Sequence, residues 1–233
     1  MASAGATGRE QPPLSEAEAI ARYKRAAACA AAELVQDGMR LGLGTGSTVA
    51  YLLEALGERE LNDVRCAATS PATERAASAL GLTVLGLDEL GELDLAIDGA
   101  DQVDAGGWLI KGGGAAHTRE KIVAAAARRF VVIVSAEKSV AELHAPVPLE
   151  LVPFAVQTTL AKLAPAELRD VPRSPDGGMI ADYLGPIDDA RALAQRLNAT
   201  PGVVEHGLFE PELVSTILVA GEAGITERAG GKP

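Results

Sequence analysis

The chain has 233 residues, of which 48% are hydrophobic, 23% are charged and only 3% are aromatic. This composition is typical of a folded protein with an aliphatic core, and the length suits one large domain with a smaller appendage. A net charge of −11 argues against a broad nucleic-acid-binding face, although local donors still suffice for a small anionic ligand. No apolar run is long enough to span a membrane and no secretory signal is recognisable, so we expect a cytoplasmic protein.

Helices and strands alternate along the first part of the chain. Residues 1–14 are small, polar and proline-containing, which predicts a disordered tail. Ser15 and Glu18 have the spacing of a capping box, and an alanine-rich helix is predicted from there to about Val35. Further strands are predicted at 39–43, 64–68, 83–85, 93–97 and 130–134, and further helices after the loop 44–48, at 71–80 and at 117–128. The alternation predicts an α/β fold with a mostly parallel, Rossmann-like sheet flanked by helices.

The pattern changes near Val147, where closely spaced prolines divide the chain into shorter segments. Helices are predicted at 156–163 and 188–197, a hairpin-like turn at 175–178, short strands at 203–204 and 214–219, and a frayed tail from Thr226. We therefore predict a catalytic domain of residues 15–143 and 212–233, with a small α+β domain of residues 144–211 inserted near the C-terminus. The small domain is expected to act as a lid or in oligomerisation, with a crevice between the two domains.

Three glycine-containing loops follow predicted strands. They are Gly44-Thr45-Gly46-Ser47-Thr48, Asp98-Gly99-Ala100-Asp101 and Lys111-Gly112-Gly113-Gly114. Because ligands of open parallel sheets bind at the carboxyl ends of the strands, we expect these loops to converge on one site.

The first loop has the features of a phosphate-binding turn. Glycines let the backbone approach an anion, N–H groups at a helix start point towards it, and two hydroxyls add donors. No lysine precedes Ser47, so the loop is not a Walker A motif, and Val49 does not fit the dinucleotide-binding glycine pattern. A tight turn capped by Ser47 or Thr48 is the alternative.

Charged side chains distinguish the other loops and the helix that follows them. Asp98 and Asp101 suit sugar hydroxyls, Mg²⁺ or proton transfer, although Asp-Gly is also common in turns. Lys111 is a compact cation beside three glycines, a pattern that a flexible linker would also show. Glu120 is a candidate general base if it faces the strand ends, whereas the charged run 118–121 otherwise fits a solvated helix face.

No metal site is predicted. The three histidines, His117, His144 and His206, lack metal-ligand spacing and are interpreted as structural or surface residues. Cys29 and Cys66 are too few for a disulfide framework and are interpreted as small, reduced core residues.

The loops together resemble the type A ribose-5-phosphate isomerase family. The resemblance covers roughly residues 20–220 and is carried by the segments GLGTGST, TSPATERAASALGL, DLAIDGAD, IKGGGAAHTREK, PVPLELVPFA, PDGGMIAD and PGVVEHGLF. It implies an aldose–ketose isomerase that interconverts ribose 5-phosphate and ribulose 5-phosphate through an enediolate, in the non-oxidative pentose phosphate pathway. It also implies no cofactor and a homodimer or homotetramer.

The resemblance also assigns residues. Glu120 is implied as the proton acceptor, with Lys111 stabilising charge on oxygen and Asp98 assisting ring opening or proton traffic. The implied substrate-binding residues are Lys24, Thr45, Gly46, Ser47, Thr48, Asp98, Gly99, Ala100, Asp101, Lys111, Gly112, Gly113, Gly114 and Lys138.

The chain departs from the usual family pattern at a few positions. Gln102 replaces an acidic residue, His117 an apolar one and Ser135 an aspartate, and the segment 175–178 also differs. The Ser135 change is expected to affect the positioning of Lys138.

Two other functions are considered. An amino-sugar phosphate isomerase on a similar scaffold would need a histidine for ring opening, and a sugar-phosphate sensor would need no proton acceptor.

Overall fold

The computed structural model describes residues 15–232, so the predicted disordered tail of residues 1–14 lies outside the described part. The helices are α1 (Glu16–Ala32), α2 (Ser47–Gly57), α3 (Pro71–Ala79), α4 (Leu87–Leu90), α5 (His117–Ala126), α6 (Val156–Leu163) and α7 (Ala190–Asn198). The strands are β1 (Arg40–Leu43), β2 (Arg65–Ala68), β3 (Thr83–Val84), β4 (Leu93–Asp98), β5 (Gln102–Val103), β6 (Leu109–Ile110), β7 (Ala127–Ser135), β8 (Val147–Leu151), β9 (Ala166–Leu168), β10 (Met179–Tyr183), β11 (Val203–His206), β12 (Leu208–Phe209), β13 (Thr216–Gly221) and β14 (Gly224–Ala229).

A seven-stranded sheet forms the centre of the larger part of the molecule. Its strand order is β14-β13-β7-β4-β1-β2-β3, and every neighbouring pair is parallel except the β13–β14 hairpin. One apolar cluster joins α1 and α2 to the sheet, and a second joins α5 to it together with residues of β6 and β12. The predicted α/β fold with a mostly parallel sheet and flanking helices is confirmed.

Several predicted element boundaries differ from the structure, and two of the differences follow from strand pairing in this sheet. The C-terminal tail does not fray at Thr226, because β14 pairs along its length with β13. Helix α5 ends at Ala126 rather than near Arg128, because Ala127 already pairs with Leu93 of β4 and the backbone there belongs to the sheet. By contrast, the capping box of Ser15 and Glu18 is present at the start of α1.

A smaller antiparallel sheet forms a second domain. Its strand order is β11-β8-β10-β9, and α6 and α7 contribute to a separate apolar core with it. A three-stranded sheet, β12-β6-β5, continues from this domain towards the larger one, and the backbone N–H of Lys111 donates to the Gly207 carbonyl at 2.8 Å. The predicted limits of this domain, 144 and 211, stay a prediction.

Candidate active site

The three predicted loops converge on one cavity of about 130 Å³. Strands β1 and β4 are parallel neighbours, so the loops that follow them leave the same edge of the sheet. The lining residues are Lys24, Thr45, Gly46, Ser47, Thr48, Gly99, Ala100, Asp101, Lys111, Gly112, Gly113, Gly114, Glu120 and Lys138. All of them were predicted from the sequence, and Asp98 is the one predicted site residue outside this lining.

The expected crevice between the two domains is not tested by this cavity and stays a prediction. Among residues 15–232, the lining comes wholly from positions between Lys24 and Lys138, and none from the smaller domain. The reason is topological, since the loops that carry the site all belong to the larger sheet or to the short strand β6.

A buried group of three charged side chains lies at one end of the cavity. The Lys111 Nζ atom lies 2.8 Å from Asp98 Oδ2 and 3.2 Å from Glu120 Oε2. All three side chains are nearly inaccessible, at 3–4% exposure. Two carboxyl groups thus share one ammonium group where little water reaches them.

Asp98 is held more firmly than Glu120. Its Oδ1 atom accepts hydrogen bonds from the backbone N–H groups of Thr45 at 3.1 Å and Gly99 at 2.7 Å, while Oδ2 accepts from Lys111. The Glu120 Oε2 atom has its ion-pair contact with Lys111 but, within the described residues, no hydrogen bond of good geometry. Asp98 is therefore a fixed anchor, whereas Glu120 keeps capacity for a further partner.

The electrostatic surroundings of Asp98 and Glu120 also differ, and they favour Glu120 as the group that exchanges a proton. Burial raises the pKa of Glu120 to about 8, the negative charge of Asp98 adds to this, and Lys111 opposes it. Burial also raises the pKa of Asp98, but three hydrogen-bond donors favour its ionised form. Burial alone would lower the pKa of Lys111, yet attraction to both carboxyl groups raises it. The site therefore holds a cation beside a carboxyl group whose pKa suits proton transfer near neutral pH.

Glycine is required at Gly44 because the first loop passes directly over Asp98. A Cβ atom at Gly44 would lie 1.9 Å from the Asp98 Cγ atom, so any larger residue would displace the carboxylate. Gly46 has a φ of 119°, a conformation that L side chains rarely adopt, and it precedes α2 without a side-chain cap. The first N–H groups of α2 are consequently free to bind an anion.

Two further cations, Lys24 and Lys138, also line the cavity. The Lys24 Nζ atom donates to Ser47 Oγ at 3.0 Å, which brings a lysine of α1 to the start of α2. Lys138 lies in the short turn after β7, and in that turn the Ser135 hydroxyl donates to Glu137 Oε1 at 2.6 Å. The expected effect of the Ser135 substitution on Lys138 stays a prediction.

Sequence reasoning missed a hydroxyl network behind the first loop. The Thr45 Oγ1 atom lies 2.7 Å from Thr69 Oγ1, and Thr73 Oγ1 donates to the Gly44 carbonyl at 2.8 Å. Ser70 caps α3 and lies 3.1 Å from the Thr73 hydroxyl. Short hydroxyl side chains at a strand end and helix start look like ordinary capping residues, so only the fold reveals their contact with the loop.

A second buried charged cluster lies next to the cavity without lining it. Lys121 donates to Glu205 Oε1 at 2.6 Å and to the His206 carbonyl at 2.7 Å. His117 and His206 are buried, and burial lowers the pKa of each to about 3. Within residues 15–232, no group of three or more His, Cys, Asp or Glu side chains is arranged to hold a metal ion.

Comparison with known proteins identifies the family. The family model described as ribose 5-phosphate isomerase A (phosphoriboisomerase A) matches residues 65–224. The ribose-5-phosphate isomerase A of Methanosarcina acetivorans is 47% identical, with 80% of this chain and 86% of the relative covered. That of Nitrobacter hamburgensis is 45% identical, covering 87% of this chain and 95% of the relative.

Solved structures agree. The ribose 5-phosphate isomerase A of Neisseria gonorrhoeae superposes with a TM-score of 0.87 at 33% identity, covering 91% of this chain and 97% of that one. A D-ribose-5-phosphate isomerase in complex with phospho-erythronic acid superposes with a TM-score of 0.85 at 35% identity, covering 90% and 99%. The chain belongs to the ribose-5-phosphate isomerase A family.

Proposed function

We propose that this protein interconverts ribose 5-phosphate and ribulose 5-phosphate in the pentose phosphate pathway. Family membership supports this reaction, and the geometry of two side chains in the cavity supports it further. The carboxyl group of Glu120 borders the cavity beside the Lys111 ammonium, with a pKa raised to about 8. A base and a cation in contact are what an enediolate intermediate requires.

In the proposed reaction, Glu120 takes the C2 proton of the open-chain aldose. The electrons of the C–H bond form the C1–C2 double bond, and negative charge develops on O1 beside Lys111. Glu120 then returns the proton to C1, while the O2 hydroxyl proton moves to O1 and O2 becomes the carbonyl oxygen. The reaction is a net isomerisation, so it needs no redox partner.

Asp98 acts through Lys111 in this proposal. It lies behind the lysine and outside the cavity lining, where it holds the ammonium group and the backbone of Thr45 in place. Its expected part in ring opening or in proton transfer between O1 and O2 stays a prediction, and it would have to pass through Lys111.

We place the phosphate group at the opposite end of the cavity. Lys24, Ser47 and Lys138 line the cavity, Lys24 donates to Ser47, and the start of α2, which has no side-chain cap, supplies backbone N–H donors. Binding there would orient the substrate from a point remote from the reacting carbons. A related isomerase was solved with phospho-erythronic acid, a phosphorylated four-carbon acid, which supports a site for this class of ligand.

The test is conversion of ribose 5-phosphate to ribulose 5-phosphate in the presence of EDTA. We expect turnover by the wild type and loss of turnover in Glu120→Gln, with phospho-erythronic acid still bound. Glu92→Gln, at an exposed carboxylate paired with Arg128, is the matched control and should keep full activity. An active Glu120→Gln enzyme would contradict the role of Glu120.

The alternatives gain no support from the site. A histidine-assisted ring opening is disfavoured because none of the residues that line the cavity is histidine. Tight binding of sugar phosphate by the wild type without any turnover would instead favour a sensor.

We also propose a homo-oligomer, a dimer or tetramer, in which the smaller domain takes part. Exposed apolar side chains in that domain support this, including Phe154 at 84% exposure, with Val152 and Val204. Light scattering should give a mass that is a multiple of 23.9 kDa, and Phe154→Asp should shift the measured mass towards that of the monomer.

We place the protein in the cytoplasm because a charged sugar phosphate does not cross a lipid bilayer unaided.

A further inference from the structure

Arg169 connects the smaller domain to the glycine loop of the cavity without lining the cavity itself. It follows strand β9, and its guanidinium group forms a two-point ion pair with Asp182 of β10. The remaining nitrogen, Nη1, donates to the carbonyl oxygens of Gly112 at 2.9 Å and Gly113 at 3.2 Å. The Arg169 and Asp182 side chains are 19% and 15% exposed, so the arrangement is mostly shielded from water.

These contacts fix the orientation of two peptide groups. In a trans peptide, the N–H group points away from the carbonyl oxygen of the same unit. With the Gly112 carbonyl directed at Arg169, the Gly113 N–H points away from it and donates to Asp101 at 2.8 Å. With the Gly113 carbonyl also directed at Arg169, the Gly114 N–H is turned away from the arginine as well.

The Gly114 N–H is an available donor. Among the described residues, none accepts a hydrogen bond from it, and Gly114 lines the cavity. The same loop begins with Lys111, whose ammonium group contacts Glu120. A donor on this loop would serve the oxygen atoms of the reacting carbons, because the loop begins at Lys111 beside Glu120.

The loop has one internal hydrogen bond, from the Ala115 N–H to the Gly112 carbonyl at 3.0 Å, whereas among the described residues the Gly113 carbonyl accepts only from Arg169. Three successive glycines have more backbone freedom than any other residue type, so the sequence does not stiffen the loop by itself. Gly112 also packs closely on His117 and Pro148. A Cβ atom added to Gly112 would lie 2.7 Å from His117 Nδ1 and 2.8 Å from Pro148 Cβ. Arg169 adds a directional contact to the carbonyl groups of both Gly112 and Gly113.

We propose that Arg169 is a positioning residue for the isomerisation, which sets the Gly112–Gly114 peptide groups so that the Gly114 N–H donates to the substrate oxygens. The inference rests on the proposed function. It assigns to the smaller domain a role in catalysis, although that domain contributes nothing to the cavity lining.

The experiment compares steady-state kinetics of the wild type with Arg169→Ala, Arg169→Lys and Asp176→Asn. Asp176 is the matched control, because it also forms a two-point pair with an arginine, Arg119 of α5, and joins the same two domains away from the loop. We expect Arg169→Ala to lower kcat about 10- to 100-fold with KM changed less than about threefold, since a displaced donor acts mainly on the transition state. Millimolar guanidinium should restore part of kcat in Arg169→Ala, and Asp176→Asn should keep wild-type kcat.

Each result has one reading. A folded Arg169→Ala enzyme with wild-type kcat would overturn the inference, as would an equal loss of kcat in Asp176→Asn. If Arg169→Ala does not fold, Arg169→Lys decides, and wild-type kcat in that variant would count against the inference. An inactive wild type would instead refute the proposed function, so the two failures are distinguishable.

Discussion

Two lysines, one buried and one partly buried, lie near the same aromatic ring, yet only the buried one lines the cavity. The Nζ atoms of Lys111 and Lys121 are 5.4 Å and 5.0 Å from the centre of the Phe209 ring. Each lysine is paired with a carboxylate, Lys111 with Asp98 and Glu120, and Lys121 with Glu205. An ion pair shielded at least in part from water is therefore common to both clusters and does not distinguish a site.

The two clusters differ in how completely their charged groups are paired. Lys121 has a carboxylate and a backbone carbonyl as acceptors, and burial lowers its pKa. Lys111 is shared between two carboxyl groups, one of which, Glu120, borders open space and has its pKa raised to about 8. A carboxyl group that has a raised pKa and faces a cavity is a candidate catalytic group.

The largest expected effect separates the two lysines directly. Lys111→Met should lower kcat about 10²- to 10³-fold, because it removes the cation beside the developing oxyanion. Lys121→Met should leave kcat of the folded enzyme within about threefold and lower the free energy of unfolding by up to about 3 kcal/mol, because Glu205 loses its partner. Kinetics and urea unfolding of both variants measure this, and equal kcat losses would remove the distinction.

The pH dependence tests the raised pKa of Glu120. The base must be ionised, so kcat/KM should rise about tenfold per pH unit below pH 8 and level off above it. Asp98→Asn should move this limb to lower pH, since the negative charge of Asp98 contributes to the shift. A profile that is flat between pH 6 and 9, measured with coupled assays, would contradict the assignment of Glu120.

The raised pKa of Glu120 also makes the free energy of unfolding depend on pH. The folded state keeps a proton on Glu120 that the unfolded chain releases near its ordinary pKa of 4.5. This group therefore lowers the free energy of unfolding as pH rises from about 4.5 to 8.

A smaller effect is expected at the phosphate end. Lys24→Gln should raise KM about tenfold and leave kcat nearly unchanged, because one exposed cation there contributes on the order of 1.4 kcal/mol to binding. Arg25→Gln, at the neighbouring residue paired with Glu54, is the control. A fall in kcat with constant KM would place Lys24 at the reacting carbons instead.

The last effect concerns stability in acid rather than catalysis, and it involves the second cluster. Burial lowers the pKa of His117 to about 3, so the unfolded chain binds a proton below about pH 6.5 that the folded protein excludes. Stability should fall as pH drops from 6.5 towards 3, by about 1.4 kcal/mol per pH unit for such a group. His117→Leu should flatten this fall in urea unfolding at pH 5 and pH 7, whereas His144→Gln, at an exposed histidine, should not.

The sequence was most informative where a loop joins a buried strand to a helix. The loops after β1 and β4 were located because parallel strands end at one edge of a sheet, and the glycines marked loops that could bind a ligand. Nothing in the pattern distinguished Asp98 from Asp101, however. Only the folded chain shows that Asp98 points behind Lys111 and that Asp101 reaches the lining.

The missed elements have physical causes. Strand β14 is almost wholly exposed and shows no apolar alternation, so no sequence signal marked it. Pro148 argued against a strand at Val147–Leu151, yet β8 lies between β10 and β11 and the Pro148 carbonyl accepts from Gly207. The contact of Arg169 with the glycine loop spans more than fifty residues along the chain and leaves no local pattern.

The most direct test of the account follows the C2 proton in Glu120→Gln. The variant is incubated with ribose 5-phosphate in ²H₂O, and NMR records both the C2 hydrogen and any ribulose 5-phosphate formed. We expect the C2 hydrogen to be retained, with no product, over a period in which the wild type reaches equilibrium. Loss of the C2 hydrogen or formation of product at the wild-type rate would show that another group removes the proton.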